Sequence, residues 1–308
     1  MLPGPGLELA DLDAWCRRHL GAEINAILFS EGHLSTVVGV ELTLSRRVVV
    51  KARTPSPRLR ASTAIHRWAF ESGFPCPKPL VGLEPMGQLV ASAEEMVTDG
   101  AIFPLSGRAA RPFAQALAWL VGVAGNATDI PSLDPRPPWT GPDHGSPELW
   151  PVPDDRTVDL NAADGPRWID EAAEVAREVL AASTSPLAIG HGDWYTGNLR
   201  WKGSAIHTVW DWDSAIRAPE PVIAGLASAV YPATQPGTEA TVAESEAFLD
   251  AYQKARRRRF RDGELREAWA AGLWIRAFDA KKQAATEGQS VSLTEFESRE
   301  RQQRAIGP

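Results

Sequence analysis

The chain has 308 residues, enough for one large or two ordinary domains with a substantial core. Its 32 Lys and Arg against 39 Asp and Glu give a net charge of −7, which argues against a nucleic-acid binder, because such domains are usually basic. Cys16 and Cys76 are too few for a disulfide framework and predict a reduced, cytoplasmic protein.

The first third of the chain has the pattern of strands with one helix. Residues 1–6 carry no basic or apolar segment, so no signal peptide is predicted. Apolar residues alternate along residues 36–44, and residues 46–51 form a second Val-rich strand after a tight turn at Ser45. Helical spacing over residues 59–69 ends at Gly73. Residues 88–97 predict a further strand.

The rest of the chain predicts mainly helices. The uncharged run at residues 112–128 is too short for a membrane span and predicts a buried helix. Residues 129–153 are rich in proline and polar turns and predict a long surface excursion. Helical patterns follow around residues 168–179, 242–257 and 264–285.

Two motifs between these helices carry the chemistry: His191-Gly192-Asp193-Trp194-Tyr195-Thr196-Gly197-Asn198 and, after it, Asp211-Trp212-Asp213. In protein kinases an Asp that receives the hydroxyl proton is followed five residues later by a metal-binding Asn and then by a metal-binding Asp. Asp193, Asn198 and Asp211 reproduce this order and spacing.

The residue types suit phosphoryl transfer, where the protein mainly positions the reacting group and offsets its charge. Asn198 supplies a neutral oxygen and Asp211 an anionic one, and Mg²⁺ prefers such oxygen ligands. Residues 199–210 predict two short strands about a Gly-Ser turn, a hairpin that would return Asp211 to Asn198. Either motif alone is as typical of a purely structural role as of a catalytic one, since His191-Gly192-Asp193 could cap a turn and Asp211-Trp212-Asp213 could be a solvated strand end. The two in this order favour catalysis.

On these motifs the chain resembles the aminoglycoside phosphotransferase family, small-molecule kinases related in fold to protein kinases. The likeness extends from about Ile24 to about Lys282. It implies an α+β, bilobal, protein-kinase-like fold, with a nucleotide-binding lobe over residues 1–97 containing a small antiparallel sheet. A larger, mainly helical catalytic and substrate-binding lobe would cover residues 98–308. It also implies ATP and Mg²⁺ as cofactors and a small-molecule hydroxyl as acceptor, with no nucleic-acid or membrane partner.

The resemblance also assigns roles to single residues. Asp193 corresponds to the proton acceptor, and His191 would organise its loop by backbone hydrogen bonds. Asn198 and Asp211 correspond to the metal ligands, and Asp213 would assist the metal. The nucleotide would be held by Lys51 at its phosphates, by Ser35 or Thr36 in the covering loop, and by the backbone of the hinge residues Glu95, Met96 and Val97.

Two departures from the family pattern stand out. The helix glutamate that normally holds the lysine is replaced by Ser62, so either Glu71 or Glu95 substitutes or the phosphates alone hold Lys51. The family's later D-L-A segment is also missing, because the equivalent stretch is Ile223-Ala224-Gly225-Leu226-Ala227.

The leading hypothesis is therefore an ATP-dependent phosphotransferase acting on a small-molecule hydroxyl, with an aminoglycoside, amino sugar or other antibiotic as candidates. Negative potential from acids near the end of the excursion and after it would favour an amine-bearing acceptor. Solvated helix faces and loops would give the same composition. These acids are Asp154, Asp155, Asp159, Asp164, Glu171 and Glu174. The alternatives are a catalytically weak nucleotide-binding regulator and a metallophosphoesterase, which needs further Asp and Asn-His ligands.

Overall fold

A computed structural model describes residues 6–32, 34–104, 109–125, 127, 130–286 and 291–307. The chain divides into two compact units. The smaller takes in Met1–Asp99, Ala127–Asp134 and Thr208–Asp213, and the larger takes in Gly100–Asn126, Pro135–His207 and Ser214–Pro308. The α+β prediction is confirmed, with an antiparallel sheet near the N-terminus and mostly helices near the C-terminus. The end of the predicted helix at residues 126 and 128, and Asp129 at the start of the excursion, lie outside the described residues.

The smaller unit is a sheet with two helices. Its elements are α1 (Leu9–Leu20), β1 (Ile24–Gly32), β2 (Thr36–Leu42), β3 (Arg46–Arg53), α2 (Pro57–Glu71), β4 (Pro79–Met86) and β5 (Leu89–Glu95). The strands lie in the order β1-β2-β3-β5-β4, and all neighbours are antiparallel.

The alternation of side chains along β2 and β3 gives this sheet two distinct faces. Val38, Val40, Val48 and Val50 point to one face and form a core that includes α1. Lys51 therefore points to the opposite face, away from that core. The predicted strand over residues 36–44 already ends at Leu42, because Leu44 and Ser45 take up φ angles of 66° and 57° in the turn that follows.

Sequence analysis missed α1 and β4. Leu12, Trp15 and Cys16 of α1 are buried and spaced three and four apart, so a helical signal was present. The prolines around β4 argued against a strand; Pro79 and Pro85 are accommodated because β4 lies at the edge of the sheet, where a missing N–H costs little.

The larger unit is mostly helical. Its elements are α3 (Ala110–Ala124), α4 (Arg167–Ala181), β6 (Leu187–His191), β7 (Leu199–Lys202), β9 (Ala215–Pro219), α5 (Glu220–Val230), α6 (Val242–Arg256), α7 (Asp262–Ala284) and α8 (Glu295–Ile306). β6 and β9 pair antiparallel. β7 pairs with β8 (Ala205–Val209) in the predicted hairpin, and Gly203 turns the chain with a φ of 61°.

Helix α7 is the centre of the larger unit, packed against α4, α5 and α8. The contact with α5 is close because Gly225 has no side chain; a Cβ there would lie 2.0 Å from the carbonyl oxygen of Ala268. Sequence analysis missed α5 because it is apolar on every side and shows no helical period. It also missed α8, β6 and β9.

The predicted excursion is less exposed than expected. From Ile130 onward it contains a 3₁₀ turn at Pro138–Thr140, and Leu133, Thr140 and Trp150 are buried. Among the residues that the structure describes, no helix is long and apolar enough to cross a membrane.

Candidate active site

Lys51 lies on β3 in contact with two carboxylates. Its Nζ is 2.5 Å from Asp211 Oδ1 and 2.8 Å from Asp213 Oδ2. All three residues belong to the smaller unit. Lys51, predicted to bind phosphate, and Asp211, predicted to bind the metal, are thus in contact. Asp213, predicted to assist the metal, also pairs with Lys51.

A second cation, Arg53, was missed by sequence analysis. Its side chain is only 8% exposed and binds Asp213 with two hydrogen bonds, Nε to Oδ2 at 2.8 Å and Nη2 to Oδ1 at 3.1 Å. The signal was present, because residues two apart on a strand share a face, and Lys51 and Arg53 therefore predict acidic partners on that face.

The segment carrying the two acids is held by ring packing within the smaller unit. The ring of Trp212 stacks on His66 with centroids 5.2 Å apart and meets Phe74 edge-on at 6.0 Å. The Val209 amide donates to the Pro75 carbonyl oxygen at 3.0 Å. Asp211 has a φ of 56°, a left-handed conformation uncommon for a residue with a side chain. Such outliers concentrate at functional sites.

The opposite charges keep Lys51 and Asp213 ionised. Burial alone would lower the pKa of Lys51, but Asp211 and Asp213 outweigh it and raise that pKa above its ordinary value. Burial alone would raise the pKa of Asp213, but Lys51 and Arg53 hold it well below the ordinary range of a carboxyl group.

Glu94 lies on the same sheet face as Lys51, since it pairs with Val49 across β3 and β5. Burial raises the pKa of Glu94 to about 7, and the nearby cations oppose this only in part. His66 lies beside it, with Nδ1 3.7 Å from Glu94 Oε2 and Nε2 2.8 Å from the Pro77 carbonyl oxygen. Burial lowers the pKa of His66 to about 4, so the ring is neutral at pH 7. The neutral ring packs against Trp212.

The predicted catalytic loop lies in the larger unit, directly after β6. Asn198 donates from Nδ2 to the Asp193 carbonyl oxygen at 2.9 Å and to Asp193 Oδ2 at 2.8 Å. The Asp193 amide donates to His191 Nδ1 at 3.2 Å. The Gly192 amide donates to the Ser214 carbonyl oxygen at 2.7 Å. Hydrogen bonds within the motif therefore fix Asp193, and the bond to Ser214 ties the motif to the segment that precedes β9.

Packing further fixes this loop. Trp194 is fully buried, and its Nε1 donates to the Phe113 carbonyl oxygen at 3.2 Å. Arg200 donates to the carbonyl oxygens of Gly197 at 3.1 Å and Leu199 at 3.0 Å. The Tyr195 ring covers Gly197 so closely that a Cβ on Gly197 would lie 2.4 Å from it. Sequence analysis did not identify Arg200 as part of the loop.

The predicted phosphate-covering loop joins β1 to β2. Thr36 is fully buried and shares its sheet face with Val38, so its hydroxyl points away from the face of Lys51. This placement gives no support to the expected hydroxyl contact from Thr36, which stays a prediction. Ser35 is half-buried and remains a prediction, and His33 of the same loop lies outside the described residues.

The predicted hinge follows β5. The Glu95 amide donates to the Lys78 carbonyl oxygen at 2.9 Å, and the Met96 amide donates to the Arg47 carbonyl oxygen at 3.2 Å. Both amides thus take part in the sheet, which leaves the Val97 amide as the candidate donor to a nucleotide base.

The partner of Lys51 differs from the acids considered in the sequence. Ser62 is buried and donates its hydroxyl to the Leu59 carbonyl oxygen within α2, so it makes no ion pair. Glu95 lies 4.0 Å from Lys78 and Glu71 is exposed. Within the described residues the carboxylates that pair with Lys51 come from Asp211 and Asp213 instead.

The acids expected to favour an amine-bearing acceptor are partly engaged. Asp155 Oδ2 lies 2.6 Å from Lys282 Nζ, and Glu171 lies 3.6 Å from Arg167. Asp159 accepts a hydrogen bond from the Asn161 amide at 2.9 Å. Paired acids project less negative potential, so the structure weakens the argument for a cationic acceptor.

The donor set suits Mg²⁺ held mainly by a nucleotide. The described residues contain no group of three His, Cys, Asp or Glu able to hold a metal by themselves. Mg²⁺ is usually bound through one or two protein oxygens, with waters and substrate phosphates completing the shell. In the larger unit Asn198 commits its amide nitrogen to Asp193, which leaves its carbonyl oxygen available, and in the smaller unit Asp211 offers a carboxylate; each is an oxygen of the kind that Mg²⁺ prefers.

Comparison with known proteins identifies the family. The model of the phosphotransferase enzyme family matches residues 25–259, about three quarters of the chain. A search of curated proteins finds no match. The solved structure of a spectinomycin phosphotransferase with ADP and spectinomycin is 12% identical over 98% of this chain and 96% of its own, with a TM-score of 0.60.

Two further solved structures share the fold. An amicoumacin kinase with AMP-PNP, Ca²⁺ and Ami is 11% identical over 99% of this chain and 90% of its own, with a TM-score of 0.58. An aminoglycoside phosphotransferase from Alicyclobacillus acidocaldarius is 16% identical over 94% of this chain and 93% of its own, with a TM-score of 0.55. The chain belongs to the phosphotransferase enzyme family.

Proposed function

We propose that this enzyme transfers the γ-phosphoryl group of ATP to a hydroxyl group of a small molecule in a Mg²⁺-dependent reaction. The observation that carries the proposal is the double hydrogen bond by which Asn198 holds the main chain and carboxylate of Asp193. It orients one proton acceptor and leaves one amide oxygen as a metal ligand. The related spectinomycin phosphotransferase and amicoumacin kinase were crystallised with ADP and AMP-PNP, which supports a nucleotide as the donor.

In this reaction the oxygen of the acceptor hydroxyl bonds to the γ-phosphorus of ATP while Asp193 accepts the hydroxyl proton. The bond between the γ-phosphorus and the β–γ bridging oxygen breaks, and ADP leaves. His191 acts through its hydrogen bond from the Asp193 amide and moves no proton. Lys51 binds the nucleotide phosphates. Mg²⁺, held by Asn198 and Asp211, would neutralise phosphate charge in the transition state.

The lobe assignment is part of the proposal. Residues 1–97 would bind the nucleotide, with Ser35 at the phosphates and the Glu95, Met96 and Val97 backbone at the base. Residues 98–308 would bind the acceptor and supply the catalytic loop. We also propose a cytoplasmic location, where ATP is available, and no nucleic-acid or membrane partner.

The decisive experiment replaces Asp193 with Asn, which removes the proton acceptor while keeping the shape of the side chain. ADP release should be followed with ATP, Mg²⁺ and a panel of aminoglycosides, amino sugars, neutral sugars and hydroxy acids. Loss of general-base catalysis should lower turnover by about 10² to 10⁴. Nucleotide affinity should stay near wild type.

Asp143→Asn is the matched control, because Asp143 is an 86% exposed acid of the same unit and should leave turnover unchanged. Wild-type turnover by Asp193→Asn would refute the base assignment. A wild-type enzyme that binds ATP but phosphorylates nothing in the panel would favour the regulatory alternative. Turnover only of neutral or acidic compounds would reject a cationic acceptor and leave the kinase assignment standing.

A further inference from the structure

Lys51 belongs to a network of side-chain contacts within the smaller unit. β3 presents Lys51 and Arg53 on one face of the sheet, and β5 places Ser92 opposite Lys51 on that face. A buried pair of cations two residues apart is costly unless each has an anionic partner. The partners come from Asp211 and Asp213, which follow β8.

Arg53 is nearly buried and has hydrogen-bond partners besides Asp213. Besides its two bonds to Asp213, its Nη1 donates to the Lys51 carbonyl oxygen at 2.8 Å and to Ser92 Oγ at 3.0 Å. Nη2 donates to the same Ser92 oxygen at 3.0 Å. All three guanidinium nitrogens are therefore engaged, which uses the planar fork that distinguishes arginine from lysine.

The same oxygen of Asp213 joins the two cations. Oδ2 accepts from Arg53 Nε at 2.8 Å and lies 2.8 Å from Lys51 Nζ. Arg53 thus sets the position of the Asp213 carboxylate, and that carboxylate sets the position of the lysine. A metal bound to Asp213 would have to compete with a nearly buried arginine for this carboxylate.

We propose that Arg53 and Asp213 form the anchor of Lys51, in place of the helix glutamate whose expected position is taken by Ser62. In this arrangement Asp213 is a positioning residue for the lysine and not a metal ligand. Asp211 remains the metal ligand and shares Lys51 only until the nucleotide binds. The inference rests on the proposed role of Lys51 in phosphate binding.

A double-mutant cycle on the full chain tests this anchor. The binding of ATP is measured by calorimetry with EDTA for wild type, Asp213→Asn, Lys51→Ala and the double variant. If Asp213 acts through Lys51, Asp213→Asn should lower the affinity for metal-free ATP by about 10-fold or more, which is the value of a charge-assisted hydrogen bond. The same substitution should change the affinity little once Lys51 is absent. Arg53→Gln should behave in the same way.

The sign of the effect separates positioning from simple charge. Because ATP is anionic, loss of a nearby carboxylate that did not position Lys51 would tighten ATP binding in both backgrounds. Asp213→Asn should also leave the Mg²⁺ concentration for half-maximal ATP binding unchanged. Arg47→Gln, at an exposed arginine on the same strand, serves as control and should bind ATP like wild type.

Equal effects of Asp213→Asn with and without Lys51, or a raised Mg²⁺ requirement with normal metal-free binding, would overturn the anchor. If Asp213→Asn does not fold, Arg53→Lys keeps the charge but loses the fork, and wild-type affinity in that variant would overturn it as well. Asp213→Glu keeps the carboxylate and should retain most of the affinity. A wild-type chain that binds no ATP would instead refute the proposed function itself.

Discussion

Replacing Glu94 with Gln should change how the stability of the chain depends on pH. Burial raises the pKa of Glu94 from 4.5 to about 7 in the folded chain. An acid whose pKa is raised on folding binds its proton more tightly in the folded state. Glu94 therefore favours folding below about pH 4.5, and this contribution is lost as the pH rises to about 7. Gln cannot ionise, so the variant lacks this loss.

The size of the effect follows from the shift. One pKa unit corresponds to about 1.4 kcal/mol, so a shift of this size is worth up to about 3 kcal/mol. The side chain is 25% exposed, and solvent screening reduces the cost of its charge. We therefore expect the stability of Glu94→Gln relative to wild type to rise by about 1 to 3 kcal/mol between about pH 5 and about pH 8.

Urea unfolding of both proteins across this pH range measures the difference. Glu95→Gln is the matched control, because Glu95 is the next residue and its side chain is 53% exposed. It removes a carboxyl group from the same strand at an exposed position and so controls for the loss of one acid. Parallel stability curves for Glu94→Gln and wild type would refute the reasoning, since they would mean that Glu94 titrates alike in the folded and unfolded chains.

Three further predictions concern binding and packing. Lys51→Ala should lower ATP affinity, whereas Ser62→Ala should be nearly neutral because the hydroxyl only bonds within its own helix; equal losses in ATP titrations would show that Ser62 faces the nucleotide. Asn198→Ala and Asp211→Ala should each raise the Mg²⁺ concentration needed for activity, and unchanged metal titrations in both would contradict their roles. Gly225→Ala should destabilise the chain by about 1 to 3 kcal/mol or more, because its Cβ would overlap the backbone of α7; an unchanged melting temperature would argue against this helix contact.

The His191–Asn198 loop was predictable as a candidate catalytic loop because its motif is defined by residues close together in sequence. Asp193 and Asn198 are five residues apart, and their side chains are joined by a hydrogen bond within this short segment. The strand that carries Lys51 was also predictable, although it continues to Arg53, because alternation along a few residues decides which side chains are buried. Local patterns of this kind need no information from the rest of the fold.

Elements without a local period were not predictable in the same way. Helix α5 is apolar on all sides because neighbouring helices surround it, and that environment exists only in the folded unit. The strand pair β6 and β9 joins segments separated by the His191–Asn198 motif and the β7–β8 hairpin, so neither strand has its partner nearby in sequence. Their short length leaves little pattern to detect.

The sequence by itself determined the reaction class, through the types and spacing of Asp193, Asn198 and Asp211. Only the tertiary structure decided what holds Lys51. Lys51 and Arg53 meet Asp213 across about 160 residues of chain, and the contact depends on strand register and on side-chain direction. A long-range ion pair has no signature in the spacing of its members, because any acid that the fold brings to that face can complete it.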